Sequence, residues 1–210
     1  MQAAAVTAKY AAALIGVGYR RPVPPLDLPI VLPRVTLRAY AMDDLDVFSD
    51  MCGRDDVARY LYWGPRTREE SRTSLVRKLG ETGFGDVDET LSLAVSRNDD
   101  GAYLGEVILH MTDAGSRGAE FGFLFHPDHH GQGYAGEAAR GMLELAFGTL
   151  GLHRVIGRCD ARNVASARLM RRLGMRQEAH FLSNEFVKGE WCDELDFALL
   201  EDEWPVSPTG

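Results

Sequence analysis

Two periodicities divide this chain. From Val35 to Tyr40, Val35, Leu37 and Ala39 alternate with Thr36, Arg38 and Tyr40, which predicts a half-buried strand. Asp43 and Asp44 then favour a helix start, and Leu45, Phe48, Met51 and Cys52 recur at helical spacing. A second helical segment is expected from about Arg68 to Leu79, after a turn at Gly64 and Pro65. Thr90 to Ser96 and Tyr103 to Met111 read as strands, and Asn98, Asp99, Asp100 and Gly101 between them have the turn chemistry of a hairpin. A loop with Gly115 and Gly118 returns the chain as a strand from Glu120 to Phe125. After a glycine-studded turn, Ala135, Ala138, Met142, Leu145, Ala146 and Leu150 share one face of a helix. A strand from His153 to Cys159 follows, then a helix from Arg162 to Leu173 ended by Gly174, then strands from Phe181 to Val187 and Glu194 to Leu200. The order predicts one mixed α/β domain built on a mostly antiparallel sheet.

The turn from His130 to Gly136 carries the most specific chemistry. Backbone amides left free at a helix start, beside glycines that admit a close ligand, make a site for phosphate. Gly131, Gln132, Gly133, Tyr134, Ala135 and Gly136 also satisfy the dinucleotide fingerprint G-x-G-x-x-G, and Asp160 lies roughly where a ribose contact is expected, about 20 residues on. That fingerprint requires its first glycine at the end of a buried parallel strand. Here His126, Pro127, Asp128, His129 and His130 intervene, and too few residues follow Asp160 to complete a dinucleotide domain. A nicotinamide-dependent reductase is therefore the weaker alternative.

The same loop, opening a helix, followed by a strand, an Asn-x-x-Ser step at Asn163 and Ser166, and a helix ending in Leu173 and Gly174, resembles the GNAT superfamily of acetyl-coenzyme A dependent N-acetyltransferases. The resemblance spans about Leu32 to Trp204, with residues 1–31 as an N-terminal arm and 205–210 as a tail. Leu37 and Arg38, the run Gly133, Tyr134, Ala135 with Glu137 and Ala138, and Lys188, Gly189, Glu190 and Trp191 point to the branch that acetylates ribosomal-protein N termini. His130 stands where Gln or Arg is usual.

The resemblance implies a splayed sheet, with acetyl-coenzyme A as cosubstrate and no metal. The pyrophosphate would rest on amides from Gly131 to Gly136. The pantetheine arm would lie between the strands Glu120 to Phe125 and His153 to Cys159, bonded by backbone groups of Leu124 and Phe125 and by the Asn163 side chain, which is equally a helix cap. Most relatives place a tyrosine seven residues after that asparagine to protonate the departing thiolate. Met170 stands there, and the ribosomal-protein branch that this chain resembles instead carries a serine three residues after the asparagine, which makes Ser166 the candidate donor, or else a plain helix serine. Glu120 is the first candidate for a base acting through water, or else a paired strand carboxylate; Glu106 and His110, which share one strand face by spacing, are runners-up. Arg168, Arg171 and Arg172 reach the 3′-phosphate or form a solvated basic face, and Tyr60, Tyr62 and Trp63 line the acceptor pocket or are ordinary core and rim aromatics. A coenzyme-binding module without catalysis is the other class this pattern allows.

Composition narrows the partners. With 210 residues and 45% hydrophobic content the chain suits one domain, and a net charge of −8 with a pI near 5.2 argues against a nucleic-acid binder and suits a cationic amine. Cys52, Cys159 and Cys192 lack metal-ligand spacing and read as reduced thiols of a cytoplasmic protein. The apolar stretch from Ala11 to Val17 is too short for a ~20-residue membrane span and lacks the flanks of a signal peptide. It reads as a docked helix or a homodimer contact, followed by an extended proline-rich arm from Pro22 to Pro33.

Overall fold

In the computed structural model, which describes residues 26–86 and 88–205, the N-terminal half forms five strands paired in chain order. These are β1 (Ile30–Val31), β2 (Val35–Arg38), β3 (Thr90–Arg97), β4 (Tyr103–Asp113) and β5 (Gly118–Phe125), all antiparallel. β6 (Arg154–Asp160) joins β5 in parallel, β8 (Glu190–Leu200) pairs antiparallel with β6, and β7 (Arg176–Val187) closes the far edge. The eight-stranded sheet therefore runs β1-β2-β3-β4-β5-β6-β8-β7, the mixed, mostly antiparallel arrangement expected of this pattern.

Strand alternation sends two apolar faces to two sets of helices. Odd positions such as Leu91, Leu93, Val107 and Leu109 pack against Ala138, Ala139 and Met142 of α4 (Tyr134–Glu144) and against Ala167, Leu169 and Met170 of α5 (Val164–Arg172). On the opposite face Tyr40, Ala94 and Tyr103 meet Phe48, Met51 and Cys52 of α1 (Leu45–Cys52) and Leu75 of α3 (Arg68–Leu79). The start of α3 is a capping box: the Thr67 hydroxyl accepts from the Glu70 amide while the Glu70 carboxylate accepts from the Thr67 amide.

Three elements depart from the periodicity. Asp55–Ala58 forms a single helical turn, α2, too short to show a period. Ile30 and Val31, inside the proline-rich arm, pair with Leu37 and Thr36. The penultimate strand begins at Arg176 rather than Phe181, because as a sheet edge it exposes most of its side chains and so lacks an apolar stripe. It turns into β8 through Lys188 and Gly189, both at positive φ, as a two-residue hairpin demands. The proposed docked helix or dimer contact at Ala11 to Val17 lies outside the described residues.

One ion pair lies deep under the α1 and α3 face. Lys78 Nζ is 2.7 Å from Glu106 Oε2, with the two side chains 5% and 7% exposed. The Tyr40 hydroxyl donates to the same oxygen at 2.5 Å and lies 3.1 Å from the Tyr103 hydroxyl. Burial, reinforced by the Glu106 charge, holds both phenols well above their ordinary range and so neutral. Lys78→Met alone should cost ~3–5 kcal/mol, because it strands a buried carboxylate, whereas adding Glu106→Leu should recover most of that loss. Urea unfolding of the two single variants and the double variant checks this; strictly additive losses would show that the pair is not coupled.

Candidate functional site

The parallel pairing of β5 with β6 lasts for three residue pairs, Gly118 with Arg154, Ala119 with Val155 and Glu120 with Ile156, and then stops. Beyond it the strands diverge, and a cleft of about 1000 Å³ opens between Phe121–Phe125 and Arg158–Asp160. Its floor is the point of divergence. A Cβ on Gly157 would lie 2.9 Å from Met170 Sδ and 3.6 Å from the Phe121 carbonyl, so the glycine lets helix α5 close the bottom of the gap.

At the upper end of β5 the chain makes a 3-10 turn, Pro127–His129, before entering α4. Three bonds fix its path. The His126 amide donates to the Leu104 carbonyl at 2.9 Å, the Asp128 amide donates to His126 Nδ1, and His130 Nε2 donates to the Phe125 carbonyl at 3.0 Å. Gly131 and Gly133 then adopt φ of 75° and 84°, the left-handed region that suits glycine. Among the described residues, no acceptor is found for the amides from Gly131 through Gly136. They border the cleft, and a row of free N–H groups at a helix start is an anion-binding surface.

The structure gathers most of the sequence-predicted residues along this cleft. Leu124, Phe125, His130, Gly131, Gly133, Tyr134, Ala135, Gly136, Asn163, Ser166 and Glu120 all line it, as do Tyr60 and Tyr62. Gln132 does not line it, and its carbonyl is taken by Arg34. The two backbone positions on β5 differ. The Leu124 carbonyl points toward β4, 2.2 Å from where a Cβ on Gly105 would stand, so its main chain is directed away from the gap. By alternation the cleft side of the strand carries the main-chain groups of Phe121, Phe123 and Phe125. Asn163 caps α5, its Oδ1 accepting from the Ser166 amide at 3.1 Å, which leaves its side-chain N–H groups for the cleft. The Ser166 hydroxyl has no hydrogen-bond partner among the described residues.

The carboxylates sort by environment. Glu120 is tied to Arg158 at 2.7 Å, the paired strand carboxylate that its position allows. Glu106 belongs to the buried pair with Lys78, and His110 Nδ1 faces the Thr90 hydroxyl at 3.0 Å; neither lines the cleft. Glu194, which sequence reasoning passed over, is 5% exposed and does line it. Its oxygens accept from the Tyr62 hydroxyl and the Asn184 amide, both at 3.1 Å. Burial raises its pKa above the ordinary carboxyl range, the Tyr62 hydrogen bond and the Arg158 charge opposing in part. In sequence Glu194 alternates with Leu195 and Phe197 and so reads as a solvent-facing position; only the fold reveals that Tyr62 covers it. Arg172 lines the cleft, Arg168 does not, and Arg171 is held on Gln177. Trp63 stacks under Arg66, its ring 4.0 Å from the guanidinium, away from the cleft.

A family model described as the acetyltransferase (GNAT) domain matches residues 34–176. The uncharacterised N-acetyltransferase YnaD of Bacillus subtilis (strain 168) is 29% identical over 175 residues, 83% of this chain and 98% of its own length. Among solved structures, a GNAT-family acetyltransferase from Bacillus anthracis has a TM-score of 0.76 at 28% identity, covering 83% of this chain and 99% of that one. A spermidine N-acetyltransferase from Vibrio cholerae, solved with CoA and spermine, has a TM-score of 0.69 at 21% identity, covering 80% and 96%. The last is a likeness of fold alone.

The left-handed turn has a direct test. Gly131→Ala should destabilise the protein by ~1–2 kcal/mol through its positive φ, although its new methyl meets nothing within 4 Å. Gly122→Ala, with equally open space and no positive φ, should cost nothing. Chemical denaturation compares them, and equal stabilities would mean that the loop does not hold the left-handed conformation.

Proposed function

The chain belongs to the acetyltransferase (GNAT) family, and from that premise we propose that it moves an acetyl group from acetyl-coenzyme A to a primary amine by direct attack in a ternary complex. The observation that carries this reading is the row of acceptor-free amides from Gly131 to Gly136 at one end of a cleft between two diverging strands. The amides suit a pyrophosphate, and the unpaired strand edges suit an extended amide-bearing arm. A mostly antiparallel sheet speaks against the dinucleotide alternative, which needs a doubly wound parallel one.

In the transfer the amine nitrogen bonds to the acetyl carbon as the carbon–sulfur bond breaks, so one proton leaves nitrogen and one reaches sulfur. Ser166, with its hydroxyl unengaged and facing the cleft, is the proposed donor to sulfur. For the base, Glu194 fits better than Glu120. Glu120 is already engaged by the Arg158 guanidinium at 2.7 Å, whereas Glu194 has a phenol and an amide as hydrogen-bond partners and burial raises its affinity for a proton. Glu120 with Arg158 would then shape the charge of the site. Cys159 also lines the cleft, but burial pushes its thiol up to about 11, so it stays protonated at neutral pH, which favours direct transfer over an acyl-cysteine route. The presence of both a hydroxyl donor and a basic carboxylate in the cleft favours catalysis over a binding module.

The acceptor end carries Glu185 and Glu194 as well as the paired Glu120, and Lys188 there is fastened to the Ala58 carbonyl. This acidic end suits an amine that arrives as a cation. An α-amine, with a pKa of ~7.7–8.0, needs less help from a base than a side-chain amine at ~10.4. The Asn163 to Ser166 step and the ribosomal-protein resemblance favour a protein N terminus, and a small amine fits the same charge.

Calorimetric titration should show acetyl-coenzyme A binding and no NAD binding; folded protein that binds NAD in its place would overturn the reading. Because the raised carboxyl of Glu194 accepts a proton only above its own pKa, kcat/KM should climb with pH through that value and then level. Glu194→Gln should lower the plateau by about 10²-fold or more and remove the limb, with coenzyme binding unchanged. Full activity in Glu194→Gln together with loss in Glu120→Gln would return the base role to Glu120.

A further inference from the structure

The amide row contains no lysine or arginine, and His130 beside it spends its Nε2 on the Phe125 carbonyl. Positive charge nevertheless reaches the loop from another part of the chain. Arg34, in the connection between β1 and β2, lies across the start of α4. Its Nη1 donates to the Gln132 carbonyl at 3.0 Å, its guanidinium sits 5.1 Å from the Tyr134 ring centre, and its Nη2 is 3.3 Å from where a Cβ on Gly133 would be. Nη2 has no acceptor among the described residues, and Arg34 borders the cleft.

The same residue controls the one acidic side chain of the helix's first turn. Glu137 lines the cleft and, left free, would be drawn to the amides, since a helix start attracts its own carboxylates as readily as a ligand's phosphate. The Arg34 amide binds one Glu137 oxygen at 2.6 Å and Arg34 Nε binds the other at 2.7 Å. Both oxygens are thereby engaged, and an arginine side chain that is half exposed is nevertheless fixed by two directed bonds, with its own main-chain amide adding a third to Glu137.

We propose that Arg34 is a diphosphate-binding and positioning residue: its free Nη2 supplies the cationic contact that the glycine loop lacks, and its remaining donors keep Glu137 from occupying the anion site. The identity of the anion rests on the reading above; the role of Arg34 does not follow from that reading, because the loop amides alone would satisfy it. A charge-assisted hydrogen bond is worth roughly a tenfold to hundredfold change in affinity, and release of a competing carboxylate adds to this.

The test is titration of wild type, Arg34→Ala, Arg34→Lys and the double variant Arg34→Ala/Glu137→Gln with three probes: coenzyme A, dephospho-coenzyme A and pantetheine. Arg34→Ala should weaken coenzyme A and dephospho-coenzyme A by the same factor, roughly tenfold or more, because both keep the diphosphate. Pantetheine, which has none, should bind as it does to wild type. Adding Glu137→Gln should restore part of the loss, and Arg34→Lys should fall between. If Arg34→Ala does not fold, Arg34→Gln carries the same phosphate-specific expectation. Unchanged coenzyme A affinity in the folded variant, or an equal loss for pantetheine, would overturn the role of Arg34 and leave the acetyltransferase reading standing. Wild-type protein that binds neither coenzyme form would overturn both.

Discussion

The parting of β5 from β6 after three residue pairs is the constraint on which the rest of the site depends. A parallel ladder that continued would consume the main-chain groups of Phe121 to Phe125 and Gly157 to Asp160. Because it stops, two strand edges face each other across a gap, and buried backbone groups require partners. Closure of the floor keeps the gap from collapsing or flooding: Gly157 has no side chain, and Met170 occupies that space. The two connections that leave the gap then start helices on its rim. Helix α4 begins after Gly133 with its first amides free, and α5 begins after Asn163, whose side chain takes the Ser166 amide and keeps its own N–H groups at the same opening. A single break in pairing thus produces the slot, its floor and its anion-attracting rim.

The protein buries two carboxylates with different consequences. Glu106 has an ammonium at 2.7 Å and a phenol at 2.5 Å, so its charge is compensated where it is made. Glu194 has neutral partners, a phenol and an amide, so burial raises its affinity for a proton. Both lie on strands under helical or loop cover, and both are about equally inaccessible. The neighbours decide which serves the packing of the sheet and which is suited to exchanging a proton. Charge compensation also explains the difference between Glu120 and Glu194 on one cleft wall, since Arg158 serves the first directly at 2.7 Å.

Sequence periodicity located most of the fold because the central strands β3 to β6 and helices α1, α3, α4 and α5 each bury one consistent face. It failed where burial is not periodic: at the single turn Asp55–Ala58, at the exposed first half of β7, and at Ile30 and Val31. The loop from His130 to Gly136 was legible because left-handed backbone and close approach leave few residue choices. Glu194, Arg34 and the Arg158 pairing of Glu120 were not, because each depends on a partner distant in sequence: Tyr62, Glu137 and β6 respectively. A long-range pair leaves no spacing to read. The direction of the Leu124 carbonyl was likewise beyond pattern, since it follows from the pairing of Leu124 with Glu106 and the missing side chain at Gly105.

The electrostatics of the cleft reconcile an acidic chain with the anionic cosubstrate proposed for it. A net charge of −8 repels phosphate at long range, so attraction must come from groups close enough to outweigh it. The loop end provides oriented amides, whose partial charges cost no solubility and need no counter-ion, with Arg34 beside them and Glu137 engaged by it. The other end has Glu185, Glu194 and the paired Glu120. Opposite signs at the two ends of one slot would orient the two reactants of the proposed transfer. An anion placed at the wrong end would meet carboxylates, and a cationic amine at the wrong end would meet amide N–H groups and a guanidinium. The low dielectric of a partly closed cleft would strengthen that discrimination, so under the proposed transfer the same separation of charge that admits the two reactants would also fix which of their ends meet.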